Sequence, residues 1–245
     1  MITVRALALL ILMPITAAAA PVVTGQLDYR LSWNGIPAAS ATVNVSRDET
    51  GHAPHYRVEA AVRTSWLVDW LWRLRGRVAS SFTADAMAPL GFRYDREVND
   101  EHSVTNVAFD ATIAHATGTY DHRGQTKVVD ISEPGVVDPI TAIFRALSEP
   151  VHIGDTLRYE VFTGEARYRV EFTITGEEVV TVAAGTFKAW KIEPHVWKLG
   201  TGADKRLRRA TIWVSQEPAR TLLRIRSEVF IGAVNCDLQR VAPQS

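Results

Sequence analysis

Between Tyr168 and Thr175 the chain alternates without interruption. Tyr168, Val170, Phe172 and Ile174 fall on one side, and Arg169, Glu171, Thr173 and Thr175 on the other. A period of two predicts a strand with one wet face and one dry face. Leu157, Tyr159 and Val161 repeat the pattern upstream, and Thr163-Gly164-Glu165 supplies a reversal, so a long antiparallel hairpin is expected. The same alternation runs through Leu27, Tyr29, Leu31 and Trp33, through Ala41, Val43 and Val45, and through Tyr56, Val58, Ala60 and Val62. Gly35-Ile36-Pro37 and Asp48-Glu49-Thr50-Gly51 are turns by composition, which makes these three segments a meander. Further strands are expected over 76–83, 92–98, 104–109, 113–120, 126–131, 187–192, 211–215, 222–231 and 233–238.

Two stretches break the period. Trp66, Leu67, Trp70, Leu71 and Leu74 fall at helical spacing, with Ser65 placed to cap the first turn and Trp72 pointing elsewhere. Ile140, Ile143, Phe144 and Leu147 form the apolar face of a second helix, with Asp138 as its cap, Pro139 at its first position and Pro150 just beyond its end. About a dozen strands must hide their dry faces, each inward side chain being worth ~1.5–3 kcal/mol on burial. Two short helices cannot cover so large a flat sheet. The expected fold is therefore mostly β: one bent antiparallel sheet, an open or half barrel, with two short helices over the concave apolar face. Barrels of that strand count enclose a cavity more often than they pack solid.

Composition narrows the function. Of 245 residues 47% are hydrophobic, and 27 basic side chains cancel 27 acidic ones. That balance excludes disorder as the main state and offers no basic excess for nucleic acid. Arg5, the apolar run Ala6 to Ile15 and the small residues Thr16 to Ala20 read as a signal peptide over 1–19, cut after Ala18 or Ala19. The run is too short to span a bilayer. No cysteine follows it, so the mature part, 20–245, is expected to be one exported β domain without a lipid anchor, in the periplasm. Cys236 is the only cysteine; it lies in an apolar strand pattern and reads as a small buried hydrophobe.

Candidate chemistry is sparse. His52 and His55 lack the further ligands a zinc site requires. His115 and His122 flank one strand and read as surface residues. No nucleophile elbow, phosphate loop or H-E-x-x-H is present, and no cofactor is implied. Asp95, Glu97, Asp100 and Glu101 gather near one reversal, as solvated turn carboxylates or as an acid/base pair. The aromatic signal is stronger: Trp66, Trp70 and Trp72 stand beside Leu67 and Leu71. Either this helix packs on the sheet, or it forms a lid whose aromatics meet an apolar ligand while Arg73 and Arg75 meet an anionic head. The Ile140–Leu147 helix would be the facing wall. The candidate ligand-binding residues are accordingly Trp66, Leu67, Trp70, Leu71, Ile140, Ile143 and Phe144.

Four passages together resemble the exported proteins grouped as domain of unknown function 3108. They are Tyr29 to Ala39 (YRLSWNGIPAA), Arg77 to Phe92 (RVASSFTADAMAPLGF), Val137 to Leu147 (VDPITAIFRAL), and Ala184 to Pro194 (AGTFKAWKIEP) with Thr211 to Leu238. The chain departs from that pattern at Gln216-Glu217-Pro218, where the family more often has an Asp, and at Leu222-Leu223, where its later Pro is expected. The resemblance implies an envelope protein with a fold similar to the outer-membrane lipoprotein carriers and acceptors, and it transfers no catalytic residue. The leading expectation is a non-catalytic periplasmic binder of an acyl chain, a lipidated protein or a similar amphiphile. Its rivals are a scaffold with a side-chain-filled core that binds partners at sheet edges, and a hydrolase of envelope polymers.

Overall fold

The computed structural model describes residues 20–50, 53–110, 114–200, 210–228 and 232–243. The segment read as a signal peptide, His52, Ile113, residues 201–209 and Ile231 lie outside the described residues. Among the described residues fourteen strands follow in chain order. The first eight are β1 (Gly25–Trp33), β2 (Ile36–Asp48), β3 (His55–Thr64), β4 (Leu74–Thr83), β5 (Pro89–Val98), β6 (Glu101–Asp110), β7 (His115–His122) and β8 (Gln125–Ile131). The remaining six are β9 (Thr156–Phe162), β10 (Arg167–Val182), β11 (Gly185–Lys198), β12 (Ala210–Ser215), β13 (Leu222–Glu228) and β14 (Ala233–Pro243). All belong to one antiparallel sheet in the order β8-β7-β6-β5-β4-β3-β2-β1-β14-β13-β12-β11-β10-β9. Only β1 and β14 join strands far apart in sequence. The sheet is an open half barrel, with β8 and β9 as its two edges.

The helix α2 (Pro139–Ser148) connects those two edges, because the chain leaves β8 and returns as β9. Its cap is as expected: the Asp138 side chain accepts from the backbone N–H of Ile140 at 2.9 Å and of Thr141 at 3.1 Å. The same carboxylate accepts from Ser80 Oγ at 3.0 Å, which ties the helix start to the inner face of β4, and from Thr141 Oγ1. Asp138 and Thr141 are fully buried. Burial pushes the Asp138 carboxyl above its ordinary range, against the pull of those donors.

Three apolar clusters meet on α2. Ile140 and Phe144 pack against Leu27, Tyr29, Val45, Val58 and Phe82, with the Phe82 and Phe144 rings 5.4 Å apart. Ile140 also packs against Phe92, Val107 and Phe162. Ala142 and Ala146 lie with Val137, Tyr159, Val161 and Phe172. The dry face predicted for Tyr168 to Ile174 is therefore partly core: Phe172 and Ile174 are buried. A bulge between Ile174 and Gly176 then carries β10 on, and Val180 and Val182 join Trp213 and Leu223.

The two ends of the sheet approach each other without pairing. A Cβ built on Gly118 of β7 would lie 2.5 Å from the Gly164 carbonyl oxygen and 2.8 Å from the Phe162 ring, so the β9–β10 turn rests on β7. Gly164 itself has φ +88, which favours glycine. The edge of β9 is shielded by the segment before α2, where Val137 bridges to Val161 and accepts from the Phe162 N–H at 2.9 Å.

The other helix departs from expectation. α1 spans only Trp66–Asp69 and buries no residue. Ser65 stands at the cap position, but its hydroxyl bonds to the Pro37 carbonyl oxygen at 3.3 Å instead of capping. Thr64 Oγ1 accepts from the Leu74 N–H at 2.9 Å, which draws the chain back into the ladder before a second helical turn can form. Of the two helices, α2 alone lies on the concave core.

Two outcomes test this account. Gly118→Ala should cost ~1–3 kcal/mol in urea unfolding, as overpacking against backbone does. A carboxyl with a raised folded value holds its proton more tightly in the native state, so this contribution weakens as pH rises from the ordinary carboxylate range through that value. Asp138→Asn should flatten that part of the stability–pH curve relative to the parent protein.

Candidate functional site

The C-terminal half of α2 faces a hollow instead of a packed wall. One cavity of about 140 Å³ is lined by Val43, Val45, Val58 and Ala60 from the meander, by Ile143 and Leu147 from α2, and by Val22 from the segment before β1. A second, of about 70 Å³, lies between Ile143, Leu147, Phe172, Trp190, Ile192 and Ile212. Ile143, Leu147, Arg220 and Leu222 line both, so the two are neighbours across one partition. Ile143 is 40% exposed although its helix is wrapped by the sheet. The hollow therefore opens to solvent on the side of Ile143.

The walls are almost wholly apolar, and polar groups gather at one end, where Arg220, Thr221 and Ser148 meet. Arg220 Nη1 donates to the carbonyl oxygens of Glu149 and, at 3.4 Å, Leu147. These are exposed helix-end carbonyls, which favour a cation. Burial pulls the Arg220 guanidinium below its ordinary value. Nearby, the Tyr159 hydroxyl donates to Glu149 Oε1 at 2.8 Å, and burial followed by that carboxylate pushes the phenol upward. The backbone N–H of Ala20 donates to the Ser148 carbonyl oxygen at 2.8 Å, which lays residues 20–23 along the cavity wall.

The seven residues selected from sequence divide into two groups. Ile140, Ile143 and Phe144 line the larger cavity together. Trp66, Leu67, Trp70 and Leu71 do not line it; they project from the β3–β4 connection, with Trp66 and Trp70 83% and 87% exposed. The lid reading placed both groups around one ligand, and the structure instead separates them. Ala60 lines the cavity and Thr64 begins the connection, a distance of ~13 Å along an extended strand. Arg73 and Arg75 are likewise engaged at the tip, by Glu97 at 2.6 Å and by Asp69. Arg220 and Val22 were missed from sequence because neither belongs to a periodic element.

Other candidates resolve into surface pairs. Asp95 lies 2.9 Å from His102 Nε2 and 3.5 Å from Arg93, Glu97 binds Arg73, and Glu101 binds Arg123, so these carboxylates have separate partners. His115 contacts Asp130 at 3.4 Å and Ser132 at 3.0 Å, and His122 is partly buried with its ring stacked on Tyr120. Among the described residues no group of three His, Cys, Asp or Glu side chains is placed to hold a metal. Cys236 is partly buried against the core, and burial, with Asp237 beside it, pushes its thiol up to about 12. Among the described residues no helix is long and apolar enough to cross a membrane.

Comparison with known proteins agrees on fold and leaves activity open. The family model described as protein of unknown function (DUF3108) matches residues 28–239. No curated protein matches the chain. Among solved structures, a β-barrel-like protein of domain of unknown function DUF1849 from Brucella abortus superposes with a TM-score of 0.56 at 8% identity, covering 91% of this chain and 99% of its own. An exported protein with a YmcC-like fold from Bacteroides fragilis gives 0.40 at 12% identity, covering 92% and 99%. A protein described as a lipoprotein from Parabacteroides distasonis gives 0.40 at 11% identity, covering 93% and 100%.

The division between the two groups is measurable. Trp66→Ser with Trp70→Ser should change unfolding free energy by less than about 0.5 kcal/mol, as exposed sites do. Phe144→Ala, which removes a ring packed on Phe82 in the first cluster, should cost about 3 kcal/mol in the same denaturation experiment.

Proposed function

We propose that the chain, which belongs to the family of proteins of unknown function DUF3108, holds the apolar part of a lipid or similar amphiphile beside α2. On this reading it acts in the periplasm as a non-catalytic carrier or chaperone, exported as one β domain by its signal peptide and without a lipid anchor. The observation that carries the reading is the hollow of about 140 Å³ itself, lined by apolar side chains of the meander and α2 and bordered by Arg220. An apolar hollow of about 140 Å³ forgoes packing contacts that larger side chains could supply. Filling it with the sheet's own side chains would be the simpler solution if stability alone governed the interior. Apolar hollows of this size accept small apolar guests.

The polar end supports an amphiphile over a plain hydrocarbon. Arg220 offers a cation whose partners are backbone carbonyls, so an anionic headgroup can take the guanidinium's remaining donors. The resting volume suits a short length of chain. A long acyl chain needs both cavities, joined by movement of Leu147 or Leu222 from the shared partition. The acyl group can belong to a free lipid or to a lipidated protein, since the hollow meets only the chain and its first polar group.

Native mass spectrometry and displacement of a fluorescent fatty acid test the reading. The mature protein should bind the probe, and Ala60→Phe, which fills the cavity, should reduce affinity at least about tenfold, comparable to the loss of one or two buried methylenes or more. Unchanged affinity in Ala60→Phe overturns the assignment of the hollow. No binding together with a partner protein recovered lipid-free supports the scaffold reading instead.

A further inference from the structure

The connection from β3 to β4 reads Ser65-Trp66-Leu67-Val68-Asp69-Trp70-Leu71-Trp72 and places large apolar side chains in water. Trp70 is 87% exposed, Trp66 83%, Leu71 76%, Leu67 53% and Trp72 46%. A single exposed leucine is ordinary; so many large apolar groups within one turn make a patch that requires an explanation. On the neighbouring β1–β2 turn, Trp33 and Ile36 are also exposed, and they stand at the same end of the sheet because Ala39 of β2 pairs with Thr64 of β3.

The turn is held in shape. Ser65 O accepts from the N–H groups of Val68 and Asp69, and Val68 O from those of Leu71 and Trp72, all at 2.8–3.0 Å. The Ser65 N–H donates to the Ala38 carbonyl oxygen at 2.8 Å. Asp69 is the one charged side chain in the turn, and it is folded back toward the sheet, accepting from Thr64 Oγ1 and from both terminal nitrogens of Arg75. Those bonds hold its carboxyl down to about 2, so it stays paired at any physiological pH. The outward surface is thus tryptophan and leucine without a free charge.

Shape and chemistry together select the occupant. The tip is a strand connection whose large apolar side chains face solvent. Tryptophan combines a large apolar body with one N–H donor and settles at the boundary between water and hydrocarbon. Arg63 is exposed and stands opposite Arg75 in the β3–β4 ladder, while Arg73 lies beside Glu97 and Asp100. Two arginines opposite each other repel unless an anion lies between them, and Arg75 is already committed to Asp69. Arg63 is therefore the guanidinium left for a phosphate headgroup.

We propose that the Trp66–Trp72 turn is a membrane-docking tip that inserts its tryptophans and leucines into the interfacial layer of a phospholipid bilayer. The protein lies on the membrane by this tip and does not span it. The assignment stands apart from the hollow beside α2.

Co-sedimentation of the mature protein with vesicles of phosphatidylethanolamine and phosphatidylglycerol, read with tryptophan emission, tests it. The parent protein should pellet with lipid, and its emission should move to shorter wavelength. Trp66→Ser with Trp70→Ser should weaken partitioning at least about tenfold, because interfacial affinity scales with buried apolar area. Ala60→Phe should partition like the parent, which separates this result from failure of the cavity. Partitioning that is absent in the parent, or equal in the double variant, overturns the proposal. A dimer in lipid-free buffer that the double variant abolishes overturns it too, and assigns the tip to a second copy of the chain.

Discussion

Everything in this fold follows from the need to keep the inner face of one long antiparallel sheet out of water, and α2 is the body on which that face closes. The helix is anchored at its start by Asp138, whose buried carboxylate caps the first turn and accepts from Ser80 across the interior. That single side chain fixes the helix against β4 while the two edge strands are still separate in the ladder. A buried carboxylate is tolerated only when its lone pairs are met, and here donors from backbone, serine and threonine meet them. The sheet can then curl until the β9–β10 turn rests on Gly118 of β7. Closure is by contact of a turn with a face, so no continuous barrel is required.

The interior is uneven along α2. Thr141 and Ala142 are buried, and three clusters converge on α2. One turn later Ile143 and Leu147 look into unfilled space. Residues 20–23 close one side of the hollow through a backbone bond to Ser148 and the packing of Val22 on the core.

Two apolar surfaces thus answer different constraints. The hollow lies between α2 and the inner face of the sheet and is bordered by Arg220; the β3–β4 tip is exposed and flanked by Arg63. Both consist of residues that a hydropathy reading treats alike. A chaperone for lipids would need each of them, one to hold cargo and one to reach the membrane where cargo is collected, yet nothing in the geometry couples them. They sit on opposite stretches of β3 and share no side chain.

Alternation of apolar and polar residues was sufficient to read most strands, because a half-buried sheet imposes a period of two wherever it runs. Asp138, Pro139 and the Ile140–Leu147 spacing were sufficient for α2, because capping and amphipathicity are local demands. The surplus of dry strand face over helix also foretold a bent sheet. What periodicity left undecided was which helix lies inside: Trp66, Trp70 and Leu71 satisfy the same spacing as Ile140, Ile143 and Phe144. Only the tertiary structure separates them, through Thr64, Asp69 and Arg75, which end α1 after four residues and leave its apolar side chains in solvent. Arg220 and Val22 became cavity residues for the same reason. Their neighbours come from distant strands and from a helix end, and proximity of that kind is set by how the sheet rolls, which no local pattern encodes.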